Sequence, residues 1–534
     1  MVFCKKRHAW HDGKETNMKR KEWLTICLSA LLCCVACTPA AVAEDPASEA
    51  AQDTAMVAIQ TDDTEDTAKE TSSDPQDAAA ASDGQKNGAK KAPSGRTAGK
   101  GKSTDAGDTT SKRTKPGDKT GASGKSGNSS GSKSNGSSSG KKSGSSSQKK
   151  GSKSQSTATA SAKALTDGDE LVGGTYTATG DDESALSASG TVKASVTGAS
   201  IVKSAGSASS ADGASFTGVN AAVRVYDSAQ LTLTDCTVEA SAPNATGVFA
   251  YDKGVIYLDN CTVNVTGGGA GGVQVAGGGA LYGTNLTVTS ASKAAIRSDR
   301  GGGVLVLDGG TYTSTGSNGC PAIYSTADIT VKNAEGVSTN SRAVIIEGKN
   351  SVTLENCILS GNDQSTKEGS VKANVLLYQS ASGDASVGTS VFTMVGGSMK
   401  ANTGAMFYCT NTASVINLDS AELLLSEDGT LLIVSAGRWG KEGKNGGDCT
   451  LNATNQTLTG NVQVDAISSL TLNLTEGSSL TGAINGEGKV SVTLDASSAW
   501  TLTGDSYVTS IDGDLSGLDL NGFNLYVNGV AYAG

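Results

Sequence analysis

The chain has 534 residues and a net charge of −10, with 69 Gly but only 6 Phe, which suits a thin stacked core better than a thick globular one. Its two histidines, His8 and His11, both lie near the start, which excludes Ser-His-Asp triads, Cys-His pairs and His-containing metal sites from the remainder. Charge is segregated: residues 44–84 hold twelve acids against Lys69, residues 85–155 hold seventeen bases against three Asp, and residues 166–534 hold 35 acids against 17 bases.

In chain order, Lys19-Arg20-Lys21 precedes an apolar run from Trp23 to Cys37, which is followed by Ala41-Val42-Ala43. A basic stretch, a short apolar run and a small-x-small site predict an export signal over residues 1–43, cleaved after Ala43, with Met18 the more natural start. Two alternatives stay open: a lipid anchor at Cys37, and an uncleaved anchor. The expected location is extracellular or cell-surface.

Residues 44–165 read as a disordered linker, acidic first and then Gly/Ser/Lys-rich and basic, as in GKSGNSSGSKSNGSSSGKKSGSSSQKK (124–150). Such composition cannot bury enough surface to offset chain entropy. The basic half serves either as a solvated spacer or as a contact to an anionic cell-wall polymer. No aromatic residue interleaves the lysines, so no base-stacking platform and no specific nucleic-acid recognition are expected.

From about residue 166 a pattern repeats. AAVRVYDSAQLTLTDCTV (221–238), TGVFAYDKGVIYLDNCTV (246–263) and RAVIIEGKNSVTLENCIL (342–359) show it well, and the anchors Val223, Val248, Val273, Ile296, Ile323 and Val344 are 25, 25, 23, 27 and 21 residues apart. A hydrophobic slot recurring every 20–30 residues marks a solenoid. Short alternating Val/Thr/Ile/Tyr runs between Gly, Asp and Asn make it a strand solenoid. Asn260, Asn285, Asn333 and Asn356 share one slot, with Asp235 and Gly309 in the other passes, and predict a ladder of stacked amides. Beside it Cys236, Cys261, Leu286, Gly310, Ala334 and Cys357 form an inward column. The prediction is an all-β parallel β-helix over residues 166–534, with loops projecting at 360–372 and 437–448. An aromatic cap near 500–534 closes it, built on Trp500, Tyr507, Phe523 and Tyr526.

The alternating strands, the Asn column and the closing GLDLNGFNLYVNG (517–529) resemble the right-handed parallel β-helix, or pectin-lyase-like, family, and within it the adhesin-type surface proteins of bacteria. The resemblance covers about two-thirds of the chain and implies fold more than function, since polysaccharide lyases, hydrolases and adhesins share it. The His-containing signature of the hydrolases and the Arg/Pro motif of the lyases are not matched.

Asp227 and Asp252 occupy equal positions in adjacent passes, which suggests either a carboxylate pair or two turn residues, and YDSA and YDKG favour the turn. With the anchors inward, the following residues point out: Arg224, Phe249, Gln274, Arg297, Tyr324 and Ile345, flanked two positions on by Tyr226, Tyr251 and Asp299. Aromatic and Arg side chains on a flat sheet suit sugar rings and acidic groups, so this column is the expected carbohydrate-binding face. Six cysteines follow residue 43, none in C-x-x-C spacing; they are expected as packing residues, although Cys236 and Cys261 are near enough to bridge. No catalytic residue, metal or cofactor is expected. The function so predicted is non-catalytic display or glycan and host-surface binding by a monomer. A polysaccharide lyase or hydrolase, or a structural envelope rod, are the alternatives.

Overall fold

The computed structural model describes residues 159–317, 319–367 and 369–533, all within one compact unit. The expected export signal, the cleavage at Ala43, the Cys37 anchor and almost all of the linker lie outside the described residues.

Within them the chain is a parallel β-solenoid. A representative coil runs Val248–Tyr251, Val255–Asp259 and Thr262–Val265, each strand pairing in parallel with its counterpart one coil on. One long sheet collects 23 strands, a second 16 and a third 4. The last strand of the second sheet, Val530–Ala531, folds back antiparallel on Leu525–Val527, which leaves fifteen stacked coils. That hairpin covers the final sheet edge. Below it Trp500 is fully buried and donates its indole N–H to Gly482 O at 3.0 Å, while Tyr507 and Tyr526 stack with ring centroids 4.9 Å apart.

The core follows from alternation. Val223, Val248, Val273, Ile296, Ile323 and Val344 are paired in register, and all are buried. Across the interior lie Leu231, Ile256, Leu281, Leu305 and Ile329, also in register. Each such side chain contributes about 1.5–3 kcal/mol on burial, and none of it is available to an isolated coil. Cys236, Cys261 and Cys357 occupy the inward column as free, buried thiols, and Cys357 Sγ donates to Val331 O at 3.2 Å.

The Asn column has a different basis from the one expected. Asp235, Asn260, Asn285, Gly309, Asn333 and Asn356 all have positive φ, at 53, 51, 51, 71, 49 and 53°. This left-handed residue turns the chain between the two strands that each coil gives to the long sheet. Asn, Asp and Gly are the residues that adopt it at least cost. Only Asn260 donates to its column neighbour, Asp235 Oδ1, at 2.6 Å, whereas Asn333 donates to Asp308 Oδ1 at 2.8 Å. Among the described residues, the amides of Asn285 and Asn356 make no side-chain hydrogen bond within the column. The column is therefore a backbone corner more than an amide ladder. Asp227 and Asp252 sit likewise at positive φ (55 and 45°), as turn residues.

The two large sheets differ on their outer sides. In the long sheet, strands such as Val255–Asp259 alternate buried and open positions. In the second sheet the strands from Val273–Ala276 to Ala405–Thr410 are buried at every position. Continuous burial means a sheet covered on both faces. The covers define the site.

Candidate functional site

Register places the predicted outward column as expected: Arg224, Phe249, Gln274, Arg297, Tyr324 and Ile345 are consecutive partners across six strands. It is not an open face. Phe249, Gln274, Arg297 and Asp299 retain 0, 1, 2 and 2% of their accessible surface. Arg224, Tyr226 and Tyr251 are half-buried, with the Arg224 guanidinium 4.2 Å above the Tyr226 ring.

The cover over this end is a short helix, Ala211–Thr217, which Ser210 caps by accepting from Gly213 N–H at 2.8 Å. Gly218 ends it at φ 69°, and a Cβ there would lie 2.5 Å from the Phe249 ring, so only glycine lets the chain cross this close. Gln274 Nε2 donates to Ser215 O at 2.8 Å, Lys293 Nζ to Ser215 Oγ at 2.7 Å and Arg224 Nε to Thr217 O at 2.8 Å, while Arg300 lies 4.1 Å over the Phe216 ring. Alternation had shown which side these residues leave the strand. It carries no information on what another part of the chain lays over that side.

Under and beyond the helix runs a buried polar line. Arg297 Nη2 donates to Asp299 Oδ2 at 2.7 Å, and its guanidinium lies 4.5 Å from the centre of the Tyr324 ring. Tyr324 and Tyr378 both donate to Glu347 Oε2, at 2.6 and 2.9 Å, and Ser380 Oγ donates to the other oxygen. Glu347 is 1% exposed, so its role is to fix the two phenols from behind.

In front of those phenols a narrow cleft, with room for about 50 Å³, lies against the middle of the sheet. Tyr324, Tyr378, Tyr408 and Trp439 supply its aromatic lining, and Arg342, Lys367 and Arg438 its cations. Trp439 sits at 5.5 Å from Tyr378, tilted 41°, with the Arg438 guanidinium 4.2 Å over its ring. Burial raises the Tyr408 phenol above its ordinary range, which keeps it a neutral donor to Ala436 O at 3.3 Å.

Two long loops wall the cleft, the same segments whose extra length predicted projecting loops. The 362–372 loop is held by the buried pair Arg342–Asp363, 2.9 Å apart, with Arg342 Nη2 also donating to Val371 O at 2.7 Å. The 436–446 loop is held by Asn445 Nδ2 donating to Gly437 O and by Ala436 N donating to Asp465 Oδ2, both at 2.7 Å. Val371 and Trp439 pack against the outer side of the second sheet, while the tip of the second loop, residues 440–444, stays exposed as expected.

Of the predicted column, Tyr324 and Ile345 reach this cleft, and the other members do not. Reading along the sequence missed Tyr378, Tyr408, Trp439, Lys367 and Arg438. The available signal was the lengthening of those two coils, together with Trp439, the only tryptophan between Trp23 and Trp500. Among the described residues no group of His, Cys, Asp and Glu is arranged to hold a metal ion. No protein-family model matches the chain, and no curated protein matches it.

Proposed function

We propose that this protein is an exported, surface-associated β-solenoid that binds an acidic glycan in the cleft between its two long loops and displays it without turning it over. The observation carrying this reading is the cleft's composition. It holds three of the seventeen bases of residues 166–534, one of them Arg342 in its pair with Asp363, beside four aromatic rings, and among the described residues no carboxylate lines it. In a segment with 35 acids, such a concentration of positive charge is local and specific. Arg and Lys recognise carboxylate or sulfate, and flat rings take the apolar faces of pyranoses. Lys367 and Arg438 make no ion pair among the described residues. The basic linker and the export signal read from the sequence support placement at a cell surface, adhesin-like in role.

The test is calorimetric titration with oligouronates, with neutral oligosaccharides of equal length as control. Binding to the former alone, weakened about tenfold or more by Arg438→Ala and by Trp439→Ala, is the expected result. Equal binding of both series, or binding of neither, overturns it.

One observation favours turnover instead: the Tyr378 phenol lines the cleft and is bound to a buried carboxylate, an arrangement suited to moving a proton. Release of unsaturated or reducing ends from the oligouronates, lost in Tyr378→Phe, would make the protein an enzyme of the lyase or hydrolase class.

A further inference from the structure

The basic cleft is blind on one side and open on the other. Tyr324, Ile345, Leu376 and Tyr408 are register partners on four consecutive strands of the second sheet, and they form its floor. Toward the preceding coil, Tyr324 pairs with Arg297, whose guanidinium lies 4.5 Å over the Tyr324 ring. Arg297 is 2% exposed and bonded to Asp299, and beyond it the Ala211–Thr217 helix covers Gln274. Buried side chains therefore stop the cleft at Tyr324. Past Tyr408 there is no such stop. A broad groove with room for about 780 Å³ shares Gly369, Ser370, Val371 and Arg438 with the cleft, and Ala466, Ile467 and Glu487 carry it on toward later coils.

The two spaces differ in what they can hold. One water needs about 10–15 Å³ of such room and occupies about 30 Å³ of liquid. The 50 Å³ of the cleft thus corresponds to about four waters, or on the order of 120 Å³ of ligand, which is the size of one pyranose ring and not of two. The walls that set this limit are pinned. Arg342 and Asp363 hold the 362–372 loop, and Asp465 holds the 436–446 loop by accepting from Ala436 N–H. The floor phenols give their protons to Glu347 and to Ala436 O, so they present rings to a ligand and leave its charge to Lys367 and Arg438.

We infer that the cleft receives the end of a polyuronate chain, one terminal sugar deep, and that the sugars behind it lie in the open groove. This rests on the acidic-glycan reading and narrows it from any stretch of chain to its terminus. An internal segment needs a way out past Tyr324, and the buried Arg297 closes that way. Lys367 borders the cleft alone, so it meets the terminal sugar. Arg438 borders both spaces, so it stands where the terminal sugar joins the next. Farther along, Glu442 and Glu487 border the groove and repel additional carboxylates, so the gain from each added sugar fades within about three.

The experiment measures how much of the full chain is bound by two polyuronate preparations at equal sugar mass, one with chains about five times longer than the other. A terminus of one kind occurs once per chain, so the shorter preparation is expected to bind about five times more protein, at one protein per chain. Calorimetry with oligouronates of up to about six sugars should show affinity rising to about three sugars and then level. Ala466→Trp, which fills the groove from an exposed position, should remove the gain between one sugar and three. Protein bound in proportion to sugar mass, several copies to a chain, overturns the terminal site while the acidic-glycan reading stands. A gain untouched by Ala466→Trp overturns the groove as the place of the following sugars. Binding of no uronate at any length overturns both readings.

Discussion

Replacing Asn285, Asn333 and Asn356 together by alanine, and in a second protein together by glycine, separates two ways in which the corner column can hold the coils. The three residues have φ of 51, 49 and 53°. A Cβ in that region costs about 1 kcal/mol per residue where no side-chain polar group compensates, so the alanine variant is expected to lose about 3 kcal/mol. Glycine adopts the same backbone freely and is expected to lose less than about 1 kcal/mol, chiefly the single exposed Asn333–Asp308 hydrogen bond. Urea unfolding reads the difference: with a slope of roughly 3 kcal/mol/M, the alanine midpoint falls by about 1 M and the glycine midpoint by a fraction of that. Equal losses in the two variants would mean that amide contacts, and not backbone conformation, select asparagine here, and the corner argument would fail.

Other outcomes follow from the same structure. Gly218→Ala places a Cβ against the Phe249 ring and should loosen the Ala211–Thr217 helix by about 1–3 kcal/mol, seen as faster amide exchange in that helix while the coils stay protected. Asp363→Asn removes the partner of the buried Arg342 and should cost about 3–5 kcal/mol, with protease cleavage appearing first in the 362–372 loop. Stability should fall above pH 9. Burial raises the thiol of Cys357 and the phenols of Tyr312 and Tyr408 above ordinary values of 9.0 and 10.0, so the unfolded chain loses these protons first as pH climbs. Unfolding midpoints measured between pH 7 and pH 11 check the sign; a flat profile would contradict it. The six cysteines should resist a thiol reagent in the native protein and all react once it is unfolded.

Much of the fold could be read from the chain because a solenoid writes its contacts into its own repeat. Val223, Val248 and Val273 meet because each coil returns to the same place, so spacing alone predicted register. The Asn slot was visible for the same reason, but its cause was not, since a left-handed φ leaves no mark that distinguishes it from a hydrogen-bonded amide. The site was hidden by a different kind of contact. Gln274 and Ser215 lie 59 positions apart and touch because a helix from an earlier coil turns over the sheet, which no periodicity records. Tyr378 and Trp439 meet because an insertion folds back, and an insertion shows only as a break in the pattern.

Because each coil leans only on its neighbours, a whole turn can be gained or lost without recutting the others. Duplication of one coil would lengthen the stack by about 4.8 Å and leave the register of every other coil unchanged. Descendants of such a chain could therefore change the length of the stack by counting turns, with no new contact invented.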